Sequence, residues 1–285
     1  MDQKNIFDCS EEKAWCPGCG NHGLLEGIKQ TLQELGKEPH EVVVASGIGQ
    51  AAKLPHYINA NGFNGLHGRS IPPALGIKIA NRELTVIIHS GDGDSYGEGG
   101  NHFLHNVRRN VDISHFVHDN QIYGLTKGQA SPTTRQGHVT GIQTEGVHLQ
   151  PFNPIATAIS LGCGFVARTF MGDKEHMVET MKAAINHRGY ALVDIFQPCV
   201  VFNKINTFKW YKDHVYKLEE DYDPTDKIAA FQKSLEFDDG IPIGIIYKEE
   251  KPAFLDTIEF LKDEKPLVDR DLDPKNAEMF MDEFY

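Results

Sequence analysis

The sequence lacks both an excess of basic residues and any long hydrophobic run. Its 285 residues include 28 Lys and Arg against 40 Asp and Glu, a formal net charge of −12. This balance excludes non-specific binding to nucleic acid or to an anionic membrane, because both need a basic surface. No apolar stretch approaches the roughly 18 residues of a membrane-spanning helix. The first residues also lack the pattern of a secretory signal, so we expect a cytoplasmic protein.

The acidic excess is confined to the last quarter of the chain. Residues 1–215 carry 19 basic and 20 acidic side chains, whereas residues 216–285 carry 9 and 20. We therefore divide the chain into a body, 1–215, and an acidic C-terminal extension, 216–285. We expect the extension to pack on the body or on a partner, and a partly disordered tail is the alternative.

Cysteine is scarce and odd in number, which argues against a disulfide framework. The five cysteines are Cys9, Cys16, Cys19, Cys163 and Cys199. The CxxC of Cys16 and Cys19 is typical of half a zinc site, a redox pair or half an iron–sulfur site. Neither a second CxxC nor a His pair follows to complete a zinc site. A thioredoxin-like pair would require an apolar strand before the motif, and the sequence has none there.

Short apolar segments alternate with helix-length segments through the body. Strands are predicted at 41–46, 83–90, 111–120, 161–170 and 190–197. Helices are predicted at 22–35, 72–81, 98–109, 153–160 and 173–187. This alternation is typical of βαβ units, and it predicts an α/β fold with a mainly parallel sheet covered by helices on both faces.

One long segment, 42–82, contains no Asp or Glu. Gly47-x-Gly49-x-x-Ala52 within it follows a strand and matches a dinucleotide-binding fingerprint. That fingerprint needs an acidic residue about 20 positions later to hold a ribose hydroxyl, so NAD binding is disfavoured. The segment instead carries cations and hydrogen-bond donors that suit an anionic ligand: Lys53, His56, His67, Arg69, Lys78 and Arg82.

Polar residues follow two consecutive predicted strands. Gly91-Asp92-Gly93 ends one strand and Asn120 follows the next. Because parallel strands end at one edge of a sheet, Asp92 and Asn120 are expected to converge there. A carboxylate and an amide oxygen suit Mg²⁺, which keeps phosphate oxygens and water as further ligands. The sequence therefore predicts a Mg²⁺–diphosphate site. The alternative is a structural role, in which the glycine turn connects the strand to a helix and Asp92 caps the N-terminus of that helix.

Longer motifs are more specific than these spacings. WCPGCGNH, SGIGQAAKLPHY, GLHGRS, GDGDSYGEGGNHFLHNVRRN, NQIYGLTKGQASPTT and QPCVVFN occur in this order. Over about residues 14–210 the sequence resembles the beta subunits of 2-oxoacid:ferredoxin oxidoreductases. The resemblance implies a thiamine diphosphate-binding fold. It also implies oxidative decarboxylation of a 2-oxoacid to acyl-CoA and CO₂, with electrons passed through an iron–sulfur cluster to ferredoxin.

The resemblance also implies roles for individual residues. Asp92, Asn120 and the carbonyl of Ile122 correspond to Mg²⁺ ligands. The residues expected to bind the cofactor are Gly91, Asp92, Gly93, Asp94, Asn101, Asn120, Ile122, Gly124, Leu125 and Thr126. The residues expected to face the reacting groups are Lys53, His67, Arg69 and Leu125. Pairing of Lys53 with a distal carboxylate would favour 2-oxoglutarate slightly over pyruvate or a branched-chain 2-oxoacid.

Cys16, Cys19 and Cys199 correspond to three of the four cysteine ligands of a 4Fe–4S cluster. Gln50 stands where the fourth is expected. The departure leaves four outcomes open: Cys9 as the fourth ligand, a non-cysteine ligand, a three-iron cluster, or no cluster.

The resemblance implies a hetero-oligomer. The carboxylate that activates the aminopyrimidine ring belongs to an alpha subunit in the family, and this chain would supply the diphosphate half of the site. Coenzyme A, the 2-oxoacid and ferredoxin are the other expected partners. The alternative function is a thiamine diphosphate-dependent non-oxidative decarboxylase or synthase subunit without a cluster.

Overall fold

The computed structural model describes residues 5–237, 240–262, 265–271, 273–281 and 284. The strands in these ranges are β1 (Val42–Ser46), β2 (Asn61–Asn64), β3 (Thr85–Gly91), β4 (Ile113–Asp119), β5 (Phe165–Phe170), β6 (Tyr190–Phe196), β7 (Val215–Lys217) and β8 (Ile241–Lys248). The α-helices are α1 (Asn21–Glu34), α2 (Ile71–Ala80), α3 (Gly100–Arg109), α4 (Pro154–Ser160), α5 (Lys174–Asn186), α6 (Phe208–His214), α7 (Lys227–Ser234), α8 (Glu259–Lys262) and α9 (Glu278–Met281).

All eight strands described join one sheet, in the order β2-β1-β3-β4-β6-β5-β8-β7. Strands β1 to β6 pair with one another in parallel, and β8 pairs antiparallel with β5. The predicted α/β fold with a mainly parallel sheet is confirmed. The five predicted strands and five predicted helices are present, and most of their ends lie within two residues of the expected positions.

Side chains from alternate strand positions are buried on opposite faces of the sheet. On one face, Ile87 of β3 and Phe116 of β4 pack with residues of α1 and α5. On the other, Ile88 of β3 and Val117 of β4 pack with residues of α2, α3 and α4. Helices therefore cover both faces, which explains why the strands are apolar throughout.

Local sequence signals define several helix boundaries. The Asn153 side chain accepts a hydrogen bond from the Ala156 N–H and begins α4, and Asp173 caps α5 in the same way. Helix α3 ends at Asn110, which adopts the left-handed conformation with φ of 54°. These caps fix the ends of the helices relative to the sheet.

The acidic extension contributes to this sheet. The boundary expected at 215/216 falls inside β7, and β8 lies between β7 and β5. Ile241 and Ile246 of β8 are fully buried. Apolar burial therefore joins this part of the extension to the body. No helix in the described ranges is long and apolar enough to cross a membrane.

Candidate active site

A cavity of about 70 Å³ lies where β3 and β4 end, at the carboxyl edge of the sheet. Its lining residues are Ile48, Gly49, Gln50, Ala51, His67, Gly91, Asp92, Gly93, Asp94, Asn120, Ile122, Tyr123, Gly124, Leu125 and Thr126. We call it the cofactor cavity. Asp92 and Asn120 both contribute to it, as the βαβ topology predicted. A groove of about 610 Å³ at the amino edge, beside His187 and Lys248, contains none of the predicted site residues.

Asp92 is buried at the end of β3, and two hydroxyl groups hold its carboxylate. Ser131 Oγ donates to Asp92 Oδ2 at 2.5 Å, and Thr133 Oγ1 donates to the same oxygen at 2.7 Å. Burial raises the pKa of Asp92 to about 6, although both hydroxyl hydrogen bonds act to lower it. A cation beside the carboxylate would stabilise its charged form, because opposite charge favours ionisation.

A second buried carboxyl group lies behind Asp92. Thr133 Oγ1 is also 2.8 Å from Asp119 Oδ1. Burial and the nearby charges of Asp194 and Asp92 raise the pKa of Asp119 well above its usual range. The Thr133 hydroxyl is the donor in both contacts, and its proton is shared between Asp119 Oδ1 and Asp92 Oδ2. This chain of hydrogen bonds connects the ends of β3 and β4.

Asn120 and Ile122 sit on the turn that follows β4. Asn120 Oδ1 accepts a hydrogen bond from the Ile122 N–H at 2.9 Å, which forms an Asx turn. Gln121 between them adopts a positive φ of 57°. The turn brings the side chain of Asn120 and the backbone of Ile122 into the same cavity as Asp92. The three expected Mg²⁺ ligands are therefore neighbours.

Asp94 connects two loops that line the cavity. Its Oδ1 accepts hydrogen bonds from the N–H groups of Ile48 at 3.0 Å and Gly68 at 2.8 Å. His67 Nδ1 lies 2.7 Å from the same oxygen. A Cβ atom at Gly47 would lie 2.1 Å from Asp94 Oδ2, so only glycine fits there. Asp94 thus orients His67 and holds the loops around the cavity.

Three predicted site residues lie outside the lining of the cavity. Lys53 Nζ is 3.4 Å from the carbonyl oxygen of Ala14. Arg69 and Asn101 are exposed. Of the cations in the acid-free segment, His67 lines the cavity, whereas Lys78 forms a 2.9 Å ion pair with Asp112. The remaining predicted cofactor residues line it: Gly91, Gly93, Gly124, Leu125 and Thr126.

A second cavity, of about 50 Å³, adjoins the first. Its lining residues are Trp15, Cys16, Cys19, Asn21, Gln50, Asn120, Gly124, Gln197, Cys199, Val200, Val201 and Phe202. We call it the cysteine cavity. It brings together the three cysteines expected to bind a cluster, from segments almost two hundred residues apart. Burial raises the pKa of Cys19, and the nearby thiols of Cys199 and Cys16 raise it further.

Nitrogen donors surround these thiols. Gln197 Nε2 donates to Cys19 Sγ at 3.5 Å, and the Phe202 N–H donates to Cys199 Sγ at 3.5 Å. Within the described ranges, no three His, Cys, Asp or Glu side chains are close enough to hold a single metal ion. Cysteine thiolates are the usual ligands of iron–sulfur clusters.

Gln50 occupies the wall between the two cavities. Its backbone carbonyl accepts a hydrogen bond from Trp15 Nε1 at 2.8 Å. Its side-chain Oε1 is buried and has no hydrogen-bond partner among the described residues. Cys9 does not line the cysteine cavity, and its Sγ lies 3.7 Å from the carbonyl oxygen of His56. Gln50, rather than Cys9, therefore lines the cavity together with the three cysteines.

The sequence did not reveal several residues of the site. Ser131 and Thr133 lie in the SPTT segment, a visible motif whose contact with Asp92 requires the chain to fold back across 39 and 41 positions. Tyr123 lies directly after Ile122, and its ring packs against Gly93. The glycine was the available signal, because close packing excludes a side chain there.

Comparison with known proteins agrees with this geometry. Residues 40–195 match the family described as "Thiamine pyrophosphate enzyme, C-terminal TPP binding domain". Residues 199–263 match the family of C-terminal regions of the pyruvate ferredoxin oxidoreductase beta chain. The 2-oxoacid:ferredoxin oxidoreductase subunit beta of Saccharolobus solfataricus is 48% identical over 249 residues, which cover 83% of this chain and 82% of that protein. The chain belongs to the 2-oxoacid:ferredoxin oxidoreductase beta-subunit family.

Two further relatives have names that specify 2-oxoglutarate. The 2-oxoglutarate synthase subunit KorB of Archaeoglobus fulgidus is 33% identical to this beta subunit over 87% of the chain and 89% of its own length. A solved 2-oxoglutarate:ferredoxin oxidoreductase from Magnetococcus marinus superposes with a TM-score of 0.90 at 33% identity, covering 96% of this chain and 94% of that one. That structure contains 2-oxoglutarate, coenzyme A and succinyl-CoA.

Proposed function

We propose that this beta subunit holds the diphosphate half of a thiamine diphosphate site in an enzyme that oxidatively decarboxylates a 2-oxoacid. The products are an acyl-CoA and CO₂, and the electrons pass to ferredoxin. The observation that carries the proposal is the convergence of Asp92, Asn120 and Ile122 in one cavity at the carboxyl edge of the sheet. Ligands of open α/β sheets bind at this edge.

The residues of the cofactor cavity fit a Mg²⁺–diphosphate group. The carboxylate of Asp92, the amide oxygen of Asn120 and the carbonyl of Ile122 are hard oxygen ligands of the kind that Mg²⁺ prefers. Gly91 and Gly124 leave room for a phosphate close to the backbone, because no heavy atom lies closer than 3.8 Å to a Cβ built at either position. The chemistry that bound thiamine diphosphate supplies is a carbanion for the 2-oxoacid carbonyl and a ring that accepts the electrons of decarboxylation.

His67 is the side chain best placed to act on a substrate in this cavity. Its Nδ1 contacts the buried carboxylate of Asp94, and its Nε2 lies 3.5 Å from Glu98 Oε2, so a substrate group that accepts from Nε2 would compete with Glu98. A donor fixed in this way orients a substrate carbonyl or carboxylate without reorganising during the reaction. Leu125, which is 41% exposed, supplies an apolar surface beside it.

The cofactor cavity is too small to hold a complete cofactor. Its 70 Å³ is well below the roughly 300–1,000 Å³ of most small-molecule sites. The acid-free segment around it also offers no carboxylate to activate an aminopyrimidine ring. We therefore assign the pyrimidine half of the site to a separate alpha subunit, which completes the cavity on assembly.

The thiols that line the cysteine cavity suit an iron–sulfur cluster held by Cys16, Cys19 and Cys199, and Gln50 takes the place of the fourth ligand. Anaerobic purification followed by iron and sulfide analysis tests this assignment. Iron beyond that bound by other subunits supports it, together with reduction of ferredoxin. The absence of such iron would instead support the non-oxidative decarboxylase or synthase, which the missing fourth cysteine favours.

The substrate is assigned to the 2-oxoacid class, with 2-oxoglutarate slightly favoured. Lys53 gives little support to this preference, because it lies outside the cofactor cavity and contacts the Ala14 carbonyl. The support comes from relatives whose names specify 2-oxoglutarate. Turnover measured with pyruvate, 2-oxoglutarate and branched-chain 2-oxoacids tests this preference. Turnover confined to pyruvate or the branched-chain 2-oxoacids would exclude 2-oxoglutarate.

Replacement of Asp92 tests the metal assignment directly. Asp92→Ala removes the carboxylate ligand, and we expect Mg²⁺-dependent binding of thiamine diphosphate to weaken by at least about tenfold, with loss of turnover. Isothermal titration of the assembled enzyme with thiamine diphosphate measures the affinity. The matched control is Asp112→Ala, which removes a carboxylate of the Lys78 ion pair outside the cavity. Unchanged binding by Asp92→Ala would remove Asp92 from the metal site.

A further inference from the structure

The turn formed by residues 131–134 contacts the loops that follow both β3 and β4. Ser131 and Thr133 donate to one oxygen of Asp92, at the end of β3. Thr134 Oγ1 donates to the carbonyl oxygen of Gln121 at 2.6 Å, in the loop after β4 that also carries Asn120. A single short turn therefore connects both loops that supply the expected cation ligands.

The turn is itself well ordered by hydrogen bonds. The Ser131 N–H donates to Thr134 Oγ1 at 2.8 Å, and the Thr134 N–H donates to the Ser131 carbonyl at 3.1 Å. The Phe152 N–H donates to the Pro132 carbonyl at 2.8 Å, which ties the turn to the chain before α4. Ser131, Thr133 and Thr134 are all buried. Hydroxyl groups held this firmly cannot follow a carboxylate that rotates.

The geometry divides the two oxygens of Asp92 between two tasks. Both hydroxyls contact Oδ2, and the carboxylate lines the cofactor cavity, so Oδ1 is the oxygen left to a cation. A carboxylate that is already fixed loses little rotational freedom when it binds a cation. Hydrogen bonds of this kind to metal ligands typically contribute about 10- to 100-fold to metal affinity.

We propose that the 131–134 turn is a positioning device for the cation site. Ser131 and Thr133 hold Asp92 by Oδ2, and Thr134 holds the loop of Asn120 and Ile122 at a fixed separation from it. The three residues act through Asp92 and the β4 loop and do not contact the cation themselves. The inference rests on the proposed function only in taking Asp92 as a cation ligand.

The test uses the assembled enzyme after removal of bound cation and thiamine diphosphate. Mn²⁺ serves as the probe, and its dissociation constant is measured from the electron paramagnetic resonance of free Mn²⁺ at saturating thiamine diphosphate. Thr133→Val removes one hydroxyl at nearly constant volume, and we expect the dissociation constant to rise about 10- to 100-fold. Thr133→Ser restores the hydroxyl and should bind Mn²⁺ close to the wild-type affinity.

Thr31→Val is the matched control, because Thr31 is also fully buried and donates to the Gly27 carbonyl within α1, away from the cavity. It should leave Mn²⁺ affinity unchanged. Unchanged affinity in Thr133→Val, with or without a lower melting temperature, would overturn the proposal. If Thr133→Val fails to fold, the Mn²⁺ affinities of Ser131→Ala and Thr133→Ser are measured in the same way. Wild-type Mn²⁺ affinity in Ser131→Ala would then count against the proposal. Failure of the wild type to bind Mn²⁺ in a thiamine diphosphate-dependent manner would instead count against the proposed function.

Discussion

The cofactor cavity and the cysteine cavity adjoin at the carboxyl edge of the sheet, yet different kinds of contact hold their ligand residues. In the cofactor cavity, Asp92 is buried and receives hydroxyl hydrogen bonds of 2.5 and 2.7 Å. In the cysteine cavity, Cys16 is exposed, and the nitrogen donors of Gln197 and Phe202 lie 3.5 Å from the thiols of Cys19 and Cys199. Short hydroxyl hydrogen bonds thus hold a ligand residue of the first cavity, whereas longer N–H contacts reach the thiols of the second.

The largest expected effect is on the cysteine cavity. Cys19→Ala removes one of the three expected thiolate ligands, and we expect the iron of the anaerobically purified enzyme, beyond that bound by other subunits, to fall by at least about tenfold. Iron analysis and the visible absorption spectrum measure the loss. Cys9→Ala is the control and should retain its iron, because Cys9 lies outside the cavity. Full iron content in Cys19→Ala would show that this cavity does not hold a cluster.

A smaller effect, on stability, is expected from a substitution at Gly93 in the cofactor cavity. A Cβ atom at Gly93 would lie 2.2 Å from Cε1 of Tyr123, which cannot move freely because its hydroxyl donates to Glu98 at 3.0 Å. We expect Gly93→Ala to lower the free energy of unfolding by about 1–3 kcal/mol in urea denaturation.

Gly91→Ala provides the comparison for this glycine. No heavy atom lies within 4 Å of a Cβ built at Gly91, so the same change there should alter stability by less than about 0.5 kcal/mol. Equal losses of stability in the two variants would show that the Tyr123 ring does not restrict the residue at position 93.

The smallest effect concerns the core beneath the cofactor cavity, where His115 of β4 contacts Ser90, Ser95 and Tyr190. Burial lowers the pKa of His115 to about 3, from the usual 6.5. The unfolded chain therefore takes up a proton first as the pH falls, and this histidine lowers stability progressively between about pH 6.5 and pH 3.

His115→Gln removes that dependence on pH. Compared with the wild type, the variant should lose less stability on acidification, by up to about 1.4 kcal/mol between pH 6 and pH 5. Urea denaturation at several pH values measures the difference. Parallel stability curves for the two proteins would show that His115 is protonated in the folded state.

The alternating strands and helices of the body could be predicted from hydrophobic pattern alone, since both faces of the parallel sheet are buried. Strand β2 could not, because its residues NGFN are all exposed and contain one apolar side chain. Strand β8, IPIGIIYK, carried an apolar signal, but the surrounding acidic residues indicated a separate extension. The charged residues of that segment lie mostly on its surface, so the charge pattern did not predict the buried strand.

The candidate site divides in the same way. Asp92 and Asn120 could be found because each follows a strand directly and topology alone brings the strand ends together. Lys53 and Arg69 were expected in the site from their motifs, but neither lines the cofactor cavity of this chain, so their roles stay predictions. Ser131 and Thr133 could not be assigned, because their contact with Asp92 depends on the path of a loop rather than on spacing.

Gln50, Asn120 and Gly124 line both cavities, and this shared wall has an evolutionary consequence. A substitution at any of the three meets two selective tests at once, one from the diphosphate side and one from the cysteine side. A substitution that improves one cavity is retained only if the other cavity still functions, so few single substitutions are acceptable at these positions. We expect divergence at this wall to proceed through paired substitutions, with the partner change in Trp15, Gln197 or Tyr123.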